Sequence, residues 1–178
     1  MTRGRKGELG PGRWQKRSPL SAISCFLSLI CAPVFLATCD VDIPEDDAPT
    51  QLVGEANRAR RVARTCGAVR FEAAAPLELD GRLATAAYRH VRDLAAIGRV
   101  SHVGSDGSTA ASRAAEAGYT GTVLGEVVAG GDGNAKAVVA GWLNSPEHCR
   151  VLMDPRATQA GAAMYGRYWT LVVAAPAP

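Results

Sequence analysis

Histidine is scarce in this 178-residue chain, with three in all, and neither an HExxH run nor a paired CxxC occurs. No ready-made zinc site is therefore written into the sequence. Aromatic residues make up 6%, a proportion that gives no support to a stacking platform for carbohydrates. No internal repeat is present, which sets aside solenoid and propeller architectures. Excess basic charge is also missing once its location is considered. Arg3, Arg5, Lys6, Arg13, Lys16 and Arg17 all precede an uncharged run over residues 18–38, the layout of a basic n-region and an apolar h-region. Taking away residues 1–38 removes six basic residues and one acid, turning a formal charge of +3 into −2. Without a basic patch in the remainder, nucleic acid is excluded as a partner.

What is present is ordinary globular material, 47% apolar and 21% charged, sized for one domain. Residues 1–38 are read as a signal peptide or lipoprotein leader. The run is close to the roughly 20 residues that span a bilayer, but Ser, Pro and Thr dilute it, which favours cleavage over permanent anchoring. The stretch LATC makes Cys39 a candidate lipid anchor. Residues 39–50, acidic and proline-bearing, read as a tether, and residues 51–178 as the domain. The expected location is extracytoplasmic: secreted, periplasmic or lipid-anchored to the cell envelope.

Cysteine usage agrees with that compartment. Cys25 and Cys31 lie in the leader and Cys39 at its end, leaving Cys66 and Cys149. Two thiols in an exported chain suggest one disulfide, worth roughly 4 kcal/mol for a loop of about 80 residues in the chain-entropy description. A bonded Cys149 cannot serve as a nucleophile with His148. Sequence neighbours on a helix do not face each other in any case.

The first helical pattern is QLVGEANRARRVAR. CGAVRFEAAAPLELD then breaks it at Gly67 and Pro76 and crosses to the next helix. In LDGRLATAAYRHVRDLAAIGR, Leu83, Ala87, Leu94 and Ile97 form one apolar stripe, with Asp80 as N-cap and Gly98 as stop. SHVGSDGS is loop, with Asp106 and Gly107 as turn formers. A short Ala-rich helix begins at Ser108 and ends at Gly118. GTVLGEVVAGG reads as a strand, GNAKAVVAGWLN as a helix, and SPEHCRVLM as a further short helix. TQAGAAMY and RYWTLVVAA form a hairpin through Gly166 and Arg167. This order predicts an α+β fold with helices packed on an antiparallel sheet.

His102 and His148 sit in or beside loops, and Glu126 is an acid in an otherwise apolar strand that needs solvent or a buried partner. Two imidazoles and a carboxylate meeting at one point could hold a divalent ion, zinc foremost. His90, on the apolar stripe, reads as a hydrogen-bonded core residue, with a third-ligand role as the alternative. Trp142, Trp169 and Tyr119 read as core. Arg113 either pairs with an acid or faces solvent.

The ordered blocks SHVGSDGSTAASRAAEAGY, GEVVAGG, AVVAGWLNSPEHCRVLM and TQAGAAMYGRYWTLVVAA, preceded by EANRAR and PLELDGRLATAAYRHVRD, resemble the bacterial branch of the CAP superfamily (cysteine-rich secretory protein, antigen 5 and pathogenesis-related 1). The resemblance spans about residues 52 to 175. It implies a three-layer α-β-α sandwich with a central, mainly antiparallel sheet and a cleft lined by histidines and acids. Carried over by block, the metal candidates are His102, Glu126 and His148, with zinc as the implied cofactor. It also supports the Cys66–Cys149 bridge. Departures stand at Val127 and Val151, where asparagine is common, and at Ser145, where a second acid is usual; Glu147 is the available substitute. Tyr165 to Tyr168 lack the usual histidine. The functional reading is an exported binding module whose cleft holds a divalent metal, lipid, peptide or other cell-envelope ligand. A metal-assisted hydrolase, peptidase or esterase, is the alternative, and no residue is assigned as catalytic. The cysteine reading is testable directly: alkylation of the folded exported protein under nondenaturing conditions should label neither Cys66 nor Cys149, and labelling of one equivalent would restore the nucleophile.

Overall fold

The computed structural model describes residues 48–178; the leader, Cys39 and the tether through Asp47 lie outside the described residues. In chain order the elements are α1 (Ala48–Arg60), β1 (Arg64–Cys66), β2 (Val69–Phe71), β3 (Glu78–Leu79), α2 (Gly81–Ile97), α3 (Ala110–Glu116), β4 (Thr122–Gly130), α4 (Ala135–Asn144), α5 (Pro146–Met153), β5 (Gln159–Tyr165) and β6 (Tyr168–Ala175). Residues 48–50, read as tether from composition, form the first turn of α1. Among the described residues no helix is long and apolar enough to cross a membrane.

The strand order is β3-β5-β6-β4. Only the short β3 runs parallel to its neighbour, so the sheet is mixed and mainly antiparallel. Six consecutive residues of β6, Trp169 to Ala174, are buried, the pattern of a strand covered on both faces. Leu171 and Val173 pack with α1, α4 and α5, around Leu52, Ala56, Val139, Trp142 and Leu152. Val172 and Ala174 face the other way, onto Leu83, Ala87 and Val91 of α2 and Ala114 of α3. Helices on both faces make the three-layer α-β-α sandwich expected from the sequence. The core roles of Trp142, Trp169 and Tyr119 hold, each being at most 6% exposed.

Local signals place most helix ends. Asp80 caps α2, its carboxylate accepting from the backbone N–H groups of Arg82 and Leu83, and Gly98 closes the helix in the left-handed region with φ 69°. Arg82 holds the Asp80 carboxyl well below its ordinary range, at about 2. The Ala-rich helix starts two residues later than read. Thr109 and Ser112 form a reciprocal capping box there.

The segment from Arg61 to Leu79 is the main correction. The first helix ends at Arg60, not at Arg64, and the stretch that composition reads as a helix end and an irregular crossing holds the β1–β2 hairpin, reversed at Gly67 (φ 64°), and β3. Neither short strand of the hairpin shows alternating burial, so periodicity could not reveal it. Tertiary contacts hold it. Cys66 is disulfide-bonded to Cys149, and the pair packs with Met153 and Phe71.

Arg60 is a second device the sequence pattern concealed. It looked like one of several basic residues at helical spacing, yet it is fully buried. Its Nε donates to Ala75 O (2.8 Å), Nη1 to Leu152 O (2.6 Å) and Asp154 O (3.1 Å), and Nη2 to Ala157 O (2.8 Å). Two of these acceptors lie at the C-terminal end of α5, where carbonyls lack helical partners and the dipole favours a cation. Burial lowers the Arg60 pKa, opposed by Asp154.

Helix α2 lies almost in contact with the sheet because Gly161 allows it. A Cβ at Gly161 would sit 2.0 Å from the backbone carbon of Leu83 and 2.2 Å from the Ala84 nitrogen. Gly161→Ala should therefore destabilise the domain by about 1–3 kcal/mol or more through forced displacement of α2. Gly54→Ala in α1, where a Cβ meets nothing within 4 Å, should stabilise by up to about 1 kcal/mol. Paired urea unfolding curves check the opposite signs.

Candidate functional site: a buried glutamate between histidines and an arginine

An irregularity in β4 creates the site. The register with β6 runs Val123↔Ala174 and then Gly125↔Val173, leaving Leu124 as an extra residue. Val123 packs on the α2/α3 side of the sheet. In a regular strand a residue three positions on would face the opposite side. The extra residue returns Glu126 to the α2/α3 face, as bulges do when they re-aim a side chain.

There Glu126, 8% exposed, meets three cationic or titratable side chains. Its Oε1 accepts from Arg113 Nη2 at 2.6 Å. Its Oε2 accepts from His102 Nδ1 at 3.0 Å, and His90 Nε2 stands 3.7 Å from the same oxygen. The His90 Nε2–H donates to Ser101 O at 2.8 Å; a carbonyl only accepts, so this nitrogen carries the proton. Arg113, also buried, spends Nη1 on Ser108 O (3.0 Å) and Ser108 Oγ (3.3 Å). A carboxylate and a guanidinium paired in this way offset each other's desolvation, and removing one partner from such a pair costs about 3–5 kcal/mol.

The three imidazoles experience different fields. His102 is raised above its ordinary value by its hydrogen bond to Glu126, opposed by partial burial and by Arg113. His90 is lowered, burial outweighing the attraction of Glu126. His148 is lowered by burial and then by the neighbouring charge of His102, with Glu147 opposing.

Of the residues predicted from the sequence, His102 and Glu126 are brought into direct contact. His148, on α5, hydrogen-bonds to neither and interacts with His102 through charge. It lines a groove of about 540 Å³ with Val100, Val128, Gly141 and Trp142, whose indole donates to Val128 O at 3.0 Å. Among the described residues no group of three or more His, Cys, Asp or Glu side chains is arranged to hold a metal ion. His90 is the hydrogen-bonded core residue expected. Its approach to Glu126 was not foreseen. The open alternative for Arg113 resolves to the acid. The signal was available: a glutamate in an apolar strand needs solvent or a buried partner, and α3 carries one arginine. Val127 turns to the opposite core, so the position where an asparagine is common does not face Glu126. Glu147 is exposed and accepts only from Ser145 Oγ, at 3.4 Å.

Helices on both faces of a mixed sheet, with a glutamate on its edge strand paired to a loop histidine, define an α+β sandwich of the SCP-like class. The chain belongs to the cysteine-rich secretory protein (CAP) family, whose family model matches residues 55–172. Solved structures share the fold. An extracellular SCP-domain protein from Bacillus anthracis is 24% identical over 57% of this chain and 34% of its own, with a TM-score of 0.55. An outer surface protein from Borrelia burgdorferi is 20% identical over 71% of this chain and 90% of its own, at 0.58. A cysteine-rich secretory protein from Staphylococcus aureus is 16% identical over 74% and 40%, at 0.56. This chain thus spans about a third of the Bacillus anthracis protein. No curated protein matches the chain.

The raised His102 pKa gives a pH signature. A group whose pKa rises on folding stabilises fully below its unfolded value, and that contribution disappears as pH rises through the folded value. His102→Ala should therefore cost more stability at about pH 5 than at about pH 8. Histidine titration by NMR should place the His102 midpoint above that of His148. A common midpoint, with a pH-independent mutational cost, would refute the pairing.

Proposed function

We propose that this protein is an exported binding module acting outside the cytoplasmic membrane, in which His102 and His148 hold a divalent cation, zinc foremost, beside an apolar groove. The supporting observation is the Glu126–His102 contact. Because Nδ1 of His102 donates to the carboxylate, its Nε2 is left with no partner and a lone pair available for a metal. A carboxylate behind a ligating imidazole is the common second layer of metal sites, fixing the tautomer and raising ligand basicity. Glu126 fits that supporting role better than direct ligation, since Arg113 and His102 already occupy its oxygens. The extracellular, outer-surface and secretory character of the proteins that share the fold supports the compartment.

Two imidazoles leave the remaining coordination positions to water or to a donor atom of the ligand. A bound cation would supply Lewis acidity to that atom. The chain itself positions it: Val100, Val128 and Trp142 form apolar walls against which a lipid or peptide can bury surface, and His148 stands at their margin. Catalytic zinc sites normally use three protein ligands. The hydrolase reading therefore lacks one protein ligand, and the binding module is preferred.

Isothermal titration of zinc into metal-free protein should give one site. His102→Ala and His148→Ala should each abolish it or weaken it at least about tenfold, and Glu126→Gln should weaken it about 10-fold to 100-fold by loosening His102. Affinity should fall as pH drops through the raised His102 pKa, because protons compete for the ligating nitrogen. Equal binding by the double histidine variant would remove the site. Chelator-sensitive turnover in a peptide and ester screen would replace the binding module with the hydrolase.

A further inference from the structure

A second, smaller cavity shares no lining residue with the groove beside His148. Its volume is about 120 Å³, and it is lined by Arg89, His90, Asp93, Asp106, Ser108 and Arg113. Its inner wall contains two buried side chains, His90 at 0% and Arg113 at 2% exposure. Each has one polar atom without a partner, His90 Nδ1 and Arg113 Nε. All their other polar atoms are engaged with Glu126, Ser101 or Ser108. An unmet buried donor or acceptor costs about 1–3 kcal/mol, and bound water or an ion is one way native proteins meet it.

The two orphaned atoms make opposite demands. Arg113 Nε always bears a hydrogen and must donate. His90 Nδ1 bears a lone pair, because Nε2 holds the proton, and must accept. A halide or carboxylate would meet the first demand only, and Asp93 and Asp106 on the wall would repel it. A metal ion would meet the second only and would face the guanidinium groups of Arg89 and Arg113. Ammonium can donate and never accept. Water does both.

We infer that this cavity is a hydration site: ordered water bound behind Glu126, accepting from Arg113 Nε and donating to His90 Nδ1. At about 30 Å³ for each molecule in the liquid there is room for more than one, so two waters in contact can serve the two atoms. Ser108, Asp93 and Asp106 supply further polar neighbours, in keeping with the two to four partners a buried water takes. Toward solvent, the exposed Arg89–Asp106 ion pair, 2.7 Å between Nη2 and Oδ2, forms the outer wall. The Ser101 carbonyl fixes His90 as the Nε2–H tautomer, and the bound water donates to the Nδ1 that this leaves bare; the Nε2–H faces Ser101 O and Glu126. A solvent-coupled imidazole therefore backs the Glu126–His102 pair, whether or not a metal binds in front.

The test uses the native mature chain after chelator treatment, so its outcome is separate from that of zinc binding. A high-resolution crystal structure should show water within hydrogen-bond distance of both Arg113 Nε and His90 Nδ1. Long-range proton–nitrogen NMR should find His90 protonated at Nε2 and bare at Nδ1, with magnetisation passing from bound water to the Arg113 Nε hydrogen. An empty cavity, an anomalous halide peak after a bromide soak, a bound metal, direct Arg113–His90 contact, or a proton on His90 Nδ1 would each overturn the assignment.

Discussion

The buried pair between Glu126 and Arg113 is the constraint on which the site depends. A buried carboxylate on the inner face of an edge strand needs a hydrogen-bonded partner beside it, and among the described residues the guanidinium it contacts comes from α3. This requirement fixes where α3 docks on the sheet and how its preceding loop runs, since Arg113 also holds Ser108. The same loop carries His102. Once the carboxylate is neutralised from within, its second oxygen is left to orient the exposed imidazole.

The other half of the site is held by different means. Helix α5 bears His148, and three devices secure it: the Cys66–Cys149 bridge to the β1–β2 hairpin, the Arg60 clamp on its terminal carbonyls, and packing of Leu152 in the core shared with α1 and α4. None involves His148 itself. The imidazole is thus carried on a helix whose anchoring does not use it, while its pKa is lowered by burial and by His102. The front of the site therefore combines one imidazole biased toward its proton and one biased against it.

Much of the fold was legible because its signals are local. The 3.6-residue stripe of α2, its Asp80 cap and Gly98 stop, and the hairpin around Gly166 depend on neighbours in sequence. The β1–β2 hairpin was not legible, since short strands with irregular burial are held by a disulfide and by α5, not by their own pattern. At the site, Glu126 announced itself as an acid among valines. Arg60 did not, because a buried guanidinium satisfied by carbonyls is indistinguishable in sequence from a solvated one.

The sequence by itself determined the order of the helices and of strands β4 to β6, the cysteine pair available for bridging, the scarcity of histidine and the family blocks that contain His102, Glu126 and His148. Only the tertiary structure decided which of these meet. One extra residue at Leu124 turns Glu126 toward α2 and α3, where Arg113 and His90 receive it, and His148 is left hydrogen-bonded to none of them, at the margin of the groove. Side-chain direction along a strand reverses at every residue, so a single bulge reallocates partners that no linear spacing can specify.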